Sequence, residues 1–573
     1  LDGQALGSTN VPHSTTTDSY DSYGRVTSQT VTSNDGSGGG NPTTIVSTTS
    51  YIQNDTVSAT SSGVTGYYLV NFPGFTTVQN SGGTRASCTA YGYDGGPAGN
   101  LGQRSGLTKG EATSVVAYAT SCVNGSLAGP LTTTTHYDSY GNAEATTDAD
   151  ANGSISGHTG CTEPDSGSTL YTSCQTYDGT YKALPTNSSN ALNQSGSIGY
   201  GSSTSASTGF GLWPISSTDV NGQTTALGYD ALGRTTSQTL PGETSGETTN
   251  TKTYTIFCSG STSAQAPCIE VDTTARVDSN DTVTSRSFYD GEGHLIETRD
   301  QGPSGQDVVQ YSEYDPSGRV TFQSIPYFVT AYTGGPGAAA FSTPDANQPG
   351  TMYTRYDGMG RLTNMSNALS HQTITGYSVE CGAAGDSGCY EQQTTTDALL
   401  HQSLTLTDAI GREDYTQSFT GTNPYYVYAT TAAQYDLNGR LVKVTRPDTK
   451  TITFTYDLAG RETGMSDPDW GAESYSYDPN GNMTELVDAR GLTTFAGYDG
   501  LNRQLWRNTT NSPSNAYVTY VYDSTLGGNQ GIGRLTGELF DNANAQASLA
   551  LTGSYSYVYD ARGRITSSTI SVN

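Results

Sequence analysis

The feature that most constrains this chain is a short pattern, Tyr-Asp-x-x-Gly, that recurs at a regular interval. It starts at Tyr20, Tyr137, Tyr229, Tyr289, Tyr314, Tyr356, Tyr435, Tyr456, Tyr477 and Tyr559, with degenerate copies at Tyr177, Thr407 and Tyr498. Through Tyr435, Tyr456, Tyr477 and Tyr498 the interval is 21 residues, and a second turn signal falls between copies at Asp448, Asp467 and Asp488. A turn roughly every ten residues leaves room for strands of ordinary length and little else. Each 21-residue unit therefore reads as a β-hairpin, and consecutive hairpins continue one antiparallel strip.

The motif has a mechanical reading. Asp at the head of a turn accepts hydrogen bonds from backbone N–H groups further along it. Gly three positions later supplies the positive φ that a type I turn closed by a bulge requires. Asn502 stands in for that Gly in Tyr498-Asp499-Gly500-Leu501-Asn502-Arg503, and Asn tolerates the left-handed conformation best after Gly. Arg follows at Arg25, Arg234, Arg319, Arg361, Arg412, Arg440, Arg461, Arg503, Arg534 and Arg564, using ten of the 25 basic residues. A cation at a fixed repeat position is expected to pair with turn carboxylates or to stack on repeat tyrosines. The tyrosines themselves are expected to align as a cross-strand ladder.

Composition decides between a folded strip and a disordered chain. Only 33% of residues are hydrophobic, the net charge is −28 and the mean hydropathy is −0.50, values that lean toward disorder. Against this stand 40 tyrosines with regular punctuation, and Thr and Ser at most remaining strand positions, as suits a wetted sheet face. A pI near 4.3 opposes nucleic-acid binding, which needs a basic face. No apolar run approaches the ~18–20 residues of a spanning helix. Leu1 opens no signal peptide, so leading segments are expected to have been cleaved or to lie outside this sequence.

Eight cysteines form four neighbouring couples, Cys88/Cys122, Cys161/Cys174, Cys258/Cys268 and Cys381/Cys389. None has the spacing of a zinc site. The couples read as disulfides closing surface loops in an oxidising compartment, with free buried thiols as the alternative. No composition break marks a second domain. Residues 1–573 read as one array, with irregular insertions mainly in 33–50, 93–130, 155–215, 240–275, 328–352 and 372–395.

Tyr-Asp-Ala-Leu-Gly-Arg from Tyr229, Tyr-Asp-Leu-Asn-Gly-Arg-Leu from Tyr435 and Tyr-Asp-Pro-Asn-Gly-Asn from Tyr477 resemble the YD, or RHS-type, repeat family. The resemblance runs from about Tyr20 to Arg564. It implies a long β-strip that spirals into a hollow shell or solenoid-like body. In bacterial polymorphic toxins and insecticidal toxin complexes such shells enclose a C-terminal toxin, and in teneurins a related shell belongs to an adhesion receptor. Spiralling is expected to pair the strip's edges, which otherwise invite aggregation. Toxin-bearing members usually close with a core segment containing Asp-Pro-x-Gly. Here the last residues, from Tyr559 to Asn573, lie within an ordinary repeat.

Signals of chemistry are sparse. The six histidines (His13, His136, His158, His294, His371, His401) form no metal or nucleophile pattern, and His294 sits at the repeat's Arg position. The aspartates that stand out are absorbed by turns, which leaves no carboxylate pair to nominate and no enzyme to expect. Asp148, Asp150 and Asn152, followed by Gly153, match the first half of a calcium loop, although the twelfth position is Thr159. An ordinary Asp-Asn-Gly hairpin turn is the competing reading. No other cofactor is expected. Tyr67-Tyr68 and Tyr425-Tyr426-Tyr428 are candidate glycan platforms or ladder residues.

The expected function is a non-catalytic, secreted or cell-surface scaffold, part of a shell around a toxin or other protein cargo. The alternative is a cargo-free structural or adhesive fibre that binds cell-surface glycans or self-associates into filaments.

Overall fold

The computed structural model describes residues 14–33, 44–52, 71–99, 109–123, 126–152, 161, 171–201, 211–243, 248–257, 267–278, 281–342, 348–381, 389–422, 424–514, 516–541 and 552–572. They form 39 strands with one helical turn at Ala149–Asn152 and two short 3-10 turns. From Ser14–Tyr20 to Ile565–Val572, strands adjacent in sequence pair antiparallel. The path forks once. Gln306–Tyr314 pairs through its first half with Tyr327–Thr330 and through its second half with Val320–Ser324, which hands the strip on to Gly350–Tyr356. The all-β antiparallel hairpin strip read from the sequence is the fold found.

The unit around Tyr435 shows how the local sequence builds this. Asp436 Oδ1 accepts the backbone N–H of Asn438 at 2.9 Å and of Arg440 at 3.0 Å. Gly439 N donates to the Asp436 carbonyl, and Asp436 N to the carbonyl of Arg440. Gly439 has φ 76°, and the register slips by one residue at Tyr435, which is the bulge. Asn502 takes the same place with φ 61°.

The arginine completes a second layer of contacts. Arg440 Nε donates to Asp436 Oδ2 at 2.6 Å, and its guanidinium lies 4.8 Å from the ring centroid of Tyr456 on the next-but-one strand. The Tyr456 hydroxyl donates to the carbonyl of Leu441, the residue after the arginine, at 2.9 Å. The same clasp recurs from Arg25–Tyr51 to Arg534–Tyr559. His294 replaces the arginine with its Nδ1 3.0 Å from Asp290 Oδ2 and its ring stacked 4.7 Å from that of Tyr314. Asn482 keeps only the link to the turn, donating to Asp478 Oδ2. The guanidinium holds Asp315 below its ordinary pKa, first through the Arg319 side-chain hydrogen bond and then through the Arg319 backbone N–H.

The tyrosine ladder differs from the sequence expectation. Tyr435 and Tyr456 sit two strands apart, about 10 Å in the hydrogen-bonding direction, too far for direct ring stacking. The Arg440 guanidinium fills the gap, so the Tyr456 ring faces a cation.

The wall is one sheet thick. Most strand residues are half-buried, and apolar burial is confined to small clusters such as Cys88, Ala90, Val116, Tyr118 and Cys122, or Tyr390, Leu406 and Tyr415. Cys88–Cys122, Cys161–Cys174 and Cys381–Cys389 are bonded as their spacing suggests. Cys268 is bonded too, and Cys258 lies outside the described residues. These bonds are not all surface closures: Cys88, Cys122, Cys161 and Cys174 are buried and form parts of the apolar clusters themselves. Stretches read as insertions also contain strand, among them Pro185–Asn190, Ser195–Tyr200 and Asn250–Ile256. Their Ser, Thr and Gly content suits a sheet whose two faces both meet water.

Removing either half of a clasp should open the strip locally. Arg440→Ala and Tyr456→Phe are each expected to cost about 1 kcal/mol, with a coupling of at least about 0.5 kcal/mol between them. Hydrogen exchange across the strands Leu441–Thr445 and Thr451–Tyr456 reads this out, and strictly additive effects would show that the two side chains do not act together.

Candidate functional site

The strip returns onto itself, and the line where it does so is the principal site of long-range contact. The turns that carry the Tyr-Asp motif in later repeats meet the opposite turns of earlier ones. Asn438 Nδ2 donates to the carbonyl of Ala86 at 3.1 Å. Leu458 N donates to the carbonyl of Ala119 at 3.0 Å, and the Leu458 side chain packs on the cluster around Cys88 and Tyr118. Asn480 Nδ2 donates to Asp148 Oδ2 at 2.8 Å, while Asp150 N donates back to Asn480 Oδ1 at 2.9 Å. Asn221 and Ile532 exchange two bonds of 2.9 Å, and Arg562 reaches the carbonyl of Pro241 and pairs with Glu243.

These hydrogen-bonded partners lie 311 to 352 residues apart in sequence. Counted in strands along the chain, each of these five pairs of contacting turns is 24 apart. A constant strand count with a varying residue count is the signature of a regular spiral whose insertions are absorbed outside the strand path. At the seam, turns of the late strip meet turns or strand residues of the early one, Ala119 among the latter. The strip's long edges thus meet, as spiralling was expected to make them, through side-chain amides and single backbone bonds.

The residues singled out for calcium fall on this seam. Asp148 and Asp150 both engage Asn480, and the side chain of Asn152 and residues 153–160 lie outside the described residues. Among the described residues no group of three or more His, Cys, Asp or Glu side chains gathers as a metal would require. Burial raises Asp150 to about 6, and the neighbouring carboxylates of Asp478 and Asp148 add to the effect. Among the histidines, His294 and His401 each face a turn aspartate, Asp290 and Asp397, and His13 and His158 lie outside the described residues. Tyr67 and Tyr68 also lie outside, and Tyr426 and Tyr428 are exposed at the end of a hairpin.

A second polar cluster has no counterpart in the sequence analysis. Glu270 and Glu297 stand on one face of the sheet with Phe288 between them in register, and all three are buried. Residues 331–342 cover them. Gly337 N donates to Glu270, Ser342 N donates to Glu297 Oε1 at 3.0 Å, and Arg299 donates to the carbonyls of Thr330 and Ala340. Burial pushes both carboxyls up, Glu297 to about 8. Each of these acids fastens a covering segment through one carboxylate oxygen. The only sequence signal was an acid at an inward strand position, which registers of unknown pairing do not reveal.

The profile of the RHS Repeat family matches residues 210–245 and 435–469. The chain carries RHS repeats. None of the curated proteins matches it in sequence. Among solved structures, the RHS strip is similar to TcdB2-TccC3 without its hypervariable C-terminal region, with a TM-score of 0.65 and 12% identity over 96% of this chain and 37% of that one. It is similar to the Tc holotoxin pore of Photorhabdus luminescens, with a TM-score of 0.65 and 11% identity over 97% of this chain and 37% of that chain. At this identity the likeness establishes the shared fold. The RHS strip spans little more than a third of the length of these chains.

Two pH effects follow from the buried acids. A carboxyl whose pKa is raised on folding stabilises most when protonated, and that contribution fades as pH rises from its ordinary value through the folded one. For Asp150 this window lies between about 4 and 6. Asp150→Asn should therefore raise seam stability at neutral pH by about 1 kcal/mol and make no difference in acid. A loss of stability at neutral pH would show that the charged form is the one the seam uses. For Glu297 the window runs from about 4.5 to about 8. Residues 331–342 should become accessible to protease at about pH 9, and Glu297→Gln should suppress that change. Equal cleavage of parent and variant would dissociate Glu297 from the cover.

Proposed function

We propose that this chain is a wall segment of an extracellular shell that encloses a protein cargo, a toxin being the class that the fold's relatives suggest. The observation that carries the reading is the seam. A strip whose turns meet every 24 strands encloses space, whereas an open or flat strip does not. With neighbouring strands about 4.8 Å apart, the girth is roughly 110 Å, and more where strands tilt. The bore is then roughly 35 Å between backbones, and side chains narrow it further. A compact domain of about 100 residues is itself roughly 30–35 Å across. The space therefore favours a cargo that is small or held unfolded.

The wall chemistry suits such a role. Half-buried Thr and Ser faces offer few apolar groups on which an unfolded chain would stick. Three disulfides and the lack of any free cysteine among the described residues support an oxidising, extracellular setting. The turn aspartates, repeat arginines and repeat tyrosines are engaged in turns and clasps, which supports a scaffold without catalysis.

Native material should contain a second polypeptide, or a further stretch of chain, that resists protease until the shell unfolds. Intact mass before and after digestion, with cryo-electron microscopy of the same sample, measures this. Internal density that is digested only after denaturation is the expected result, and an empty bore in native material would remove the cargo and leave the scaffold.

A further inference from the structure

Among the described residues the dipeptide Asn-Gly occurs three times, at Asn221-Gly222, Asn438-Gly439 and Asn480-Gly481. All three fall on the seam, and in each the asparagine is the side chain that reaches across it. Two separate demands meet in that dipeptide. The turn needs glycine, since Gly222, Gly439 and Gly481 have φ of 74°, 76° and 88°. The seam needs a short side chain that both donates and accepts, which the amide of Asn does. Other turns of this type hold Leu232, Ser317 or Met359 at the same position.

Asn-Gly is also the dipeptide in which an asparagine most readily loses its amide, because glycine leaves the following backbone nitrogen unhindered. That nitrogen attacks the side-chain carbonyl carbon, ammonia departs carrying the nitrogen's proton, and a five-membered succinimide remains. Water then opens the ring at either carbonyl, giving aspartate or the isomer whose backbone runs through the side chain. No reactant other than water is needed. In the closed seam the reacting atoms are held otherwise. The nitrogens of Gly222, Gly439 and Gly481 donate to the carbonyls of Asp219, Asp436 and Asp478 at 2.9, 3.1 and 3.1 Å. Each side-chain amide is turned toward the opposite strip. Asn221 binds both backbone groups of Ile532 at 2.9 Å, Asn438 donates to the Ala86 carbonyl, and Asn480 donates to Asp148 Oδ2 while accepting the Asp150 N–H. Attack on the side-chain carbonyl requires that these bonds part first.

We propose that Asn221, Asn438 and Asn480 are modification sites, protected while the seam is closed and converted through a succinimide to aspartate or isoaspartate once it opens. Conversion opposes reclosure. At Asn480 it removes the donor to Asp148 and sets a carboxylate against that aspartate. At Asn438 and Asn221 it replaces the donor to the carbonyls of Ala86 and Ile532 with an acceptor. The isomer also lengthens the backbone of a turn closed by fixed hydrogen bonds. Opening of the seam thereby becomes a one-way step. This inference rests on the seam alone and does not depend on whether the bore holds cargo.

Peptide mapping by mass spectrometry tests it on the whole chain, incubated in mildly alkaline buffer with and without denaturant. Conversion at the three sites is expected to be at least about tenfold slower in the native chain than in the unfolded one. Leu458→Ala with Arg562→Ala weakens the seam away from the three dipeptides and should raise the native rate at all of them together. Hydrogen exchange of the strand Thr451–Tyr456, unchanged in that variant, verifies that the wall is folded, and faster exchange of the Leu458 amide verifies that the seam is loosened. Asn480→Asp, the product itself, should speed exchange of the Leu458 amide, which donates across the seam to Ala119, more than Asn480→Ser does. Asn480→Gln keeps an amide on a side chain too long for the five-membered ring, and its site should stay unmodified throughout. Equal rates in the native and unfolded chains overturn the proposal. So do unchanged rates when the seam is loosened, or a Leu458 amide that exchanges no faster in Asn480→Asp than in Asn480→Ser.

Discussion

The fold depends on one polar assembly used many times. A turn aspartate fixes its own hairpin, holds an arginine in place, and the arginine carries the tyrosine of the strand beyond the next. Each contact is modest alone, since exposed ion pairs contribute little and cation–π contacts about 0.5–2 kcal/mol. Their value lies in geometry. The guanidinium bridges a spacing that two tyrosines cannot span, and the tyrosine hydroxyl returns to the backbone beside the arginine. Hairpins that carry the clasp are thereby tied to their neighbours without a second layer of sheet or helix. This explains how a chain with 33% hydrophobic residues sustains a 39-stranded wall.

A one-layer wall with two wetted faces still has to resist bending and opening, and the seam supplies that. Its contacts are few and mostly polar, but each closes a loop of more than 300 residues. The entropy of closing such loops grows only slowly with length, so a handful of bonds suffices once the strip's curvature brings the turns together. The buried disulfides act in the same sense, replacing aliphatic packing where the early strip is least regular. Placing Asp148, Asp150 and Asp478 around the same seam makes one stretch of it sensitive to proton concentration between about pH 4 and 6.

Local features were legible in the sequence, and distant ones were not. The turn geometry, the Gly-to-Asn502 exchange, the pairing of cysteines and the company kept by the arginines all follow from residues within about two strands of one another. The tyrosine ladder was read from the right residues with the wrong neighbour, because a repeat gives the order of strands but not the distance between equivalent positions. The seam joins residues such as Asn221 and Ile532, which no interval in the sequence relates. The seam contacts of Asp148 and Asp150 were not legible because their partner, Asn480, comes more than 300 residues later. Glu270 and Glu297 were hidden for the same reason. Their burial is produced by a covering segment that has no repeat signature.

The same economy accounts for how little sequence the fold demands. The clasp specifies one aspartate, one glycine or asparagine, one arginine and one tyrosine per unit, and even the arginine yields to His294 or Asn482 with part of the geometry kept. All other strand positions need only tolerate a pleated, half-wet surface, which Thr, Ser and many other residues do. Identity of about 12% with structures of the same fold is what such a code predicts. It also locates the positions left free to diverge for function. Strand faces and clasps are held by the wall, whereas exposed turn positions such as Leu369 and Leu399 carry no such demand. Side chains there can change without disturbing the spiral.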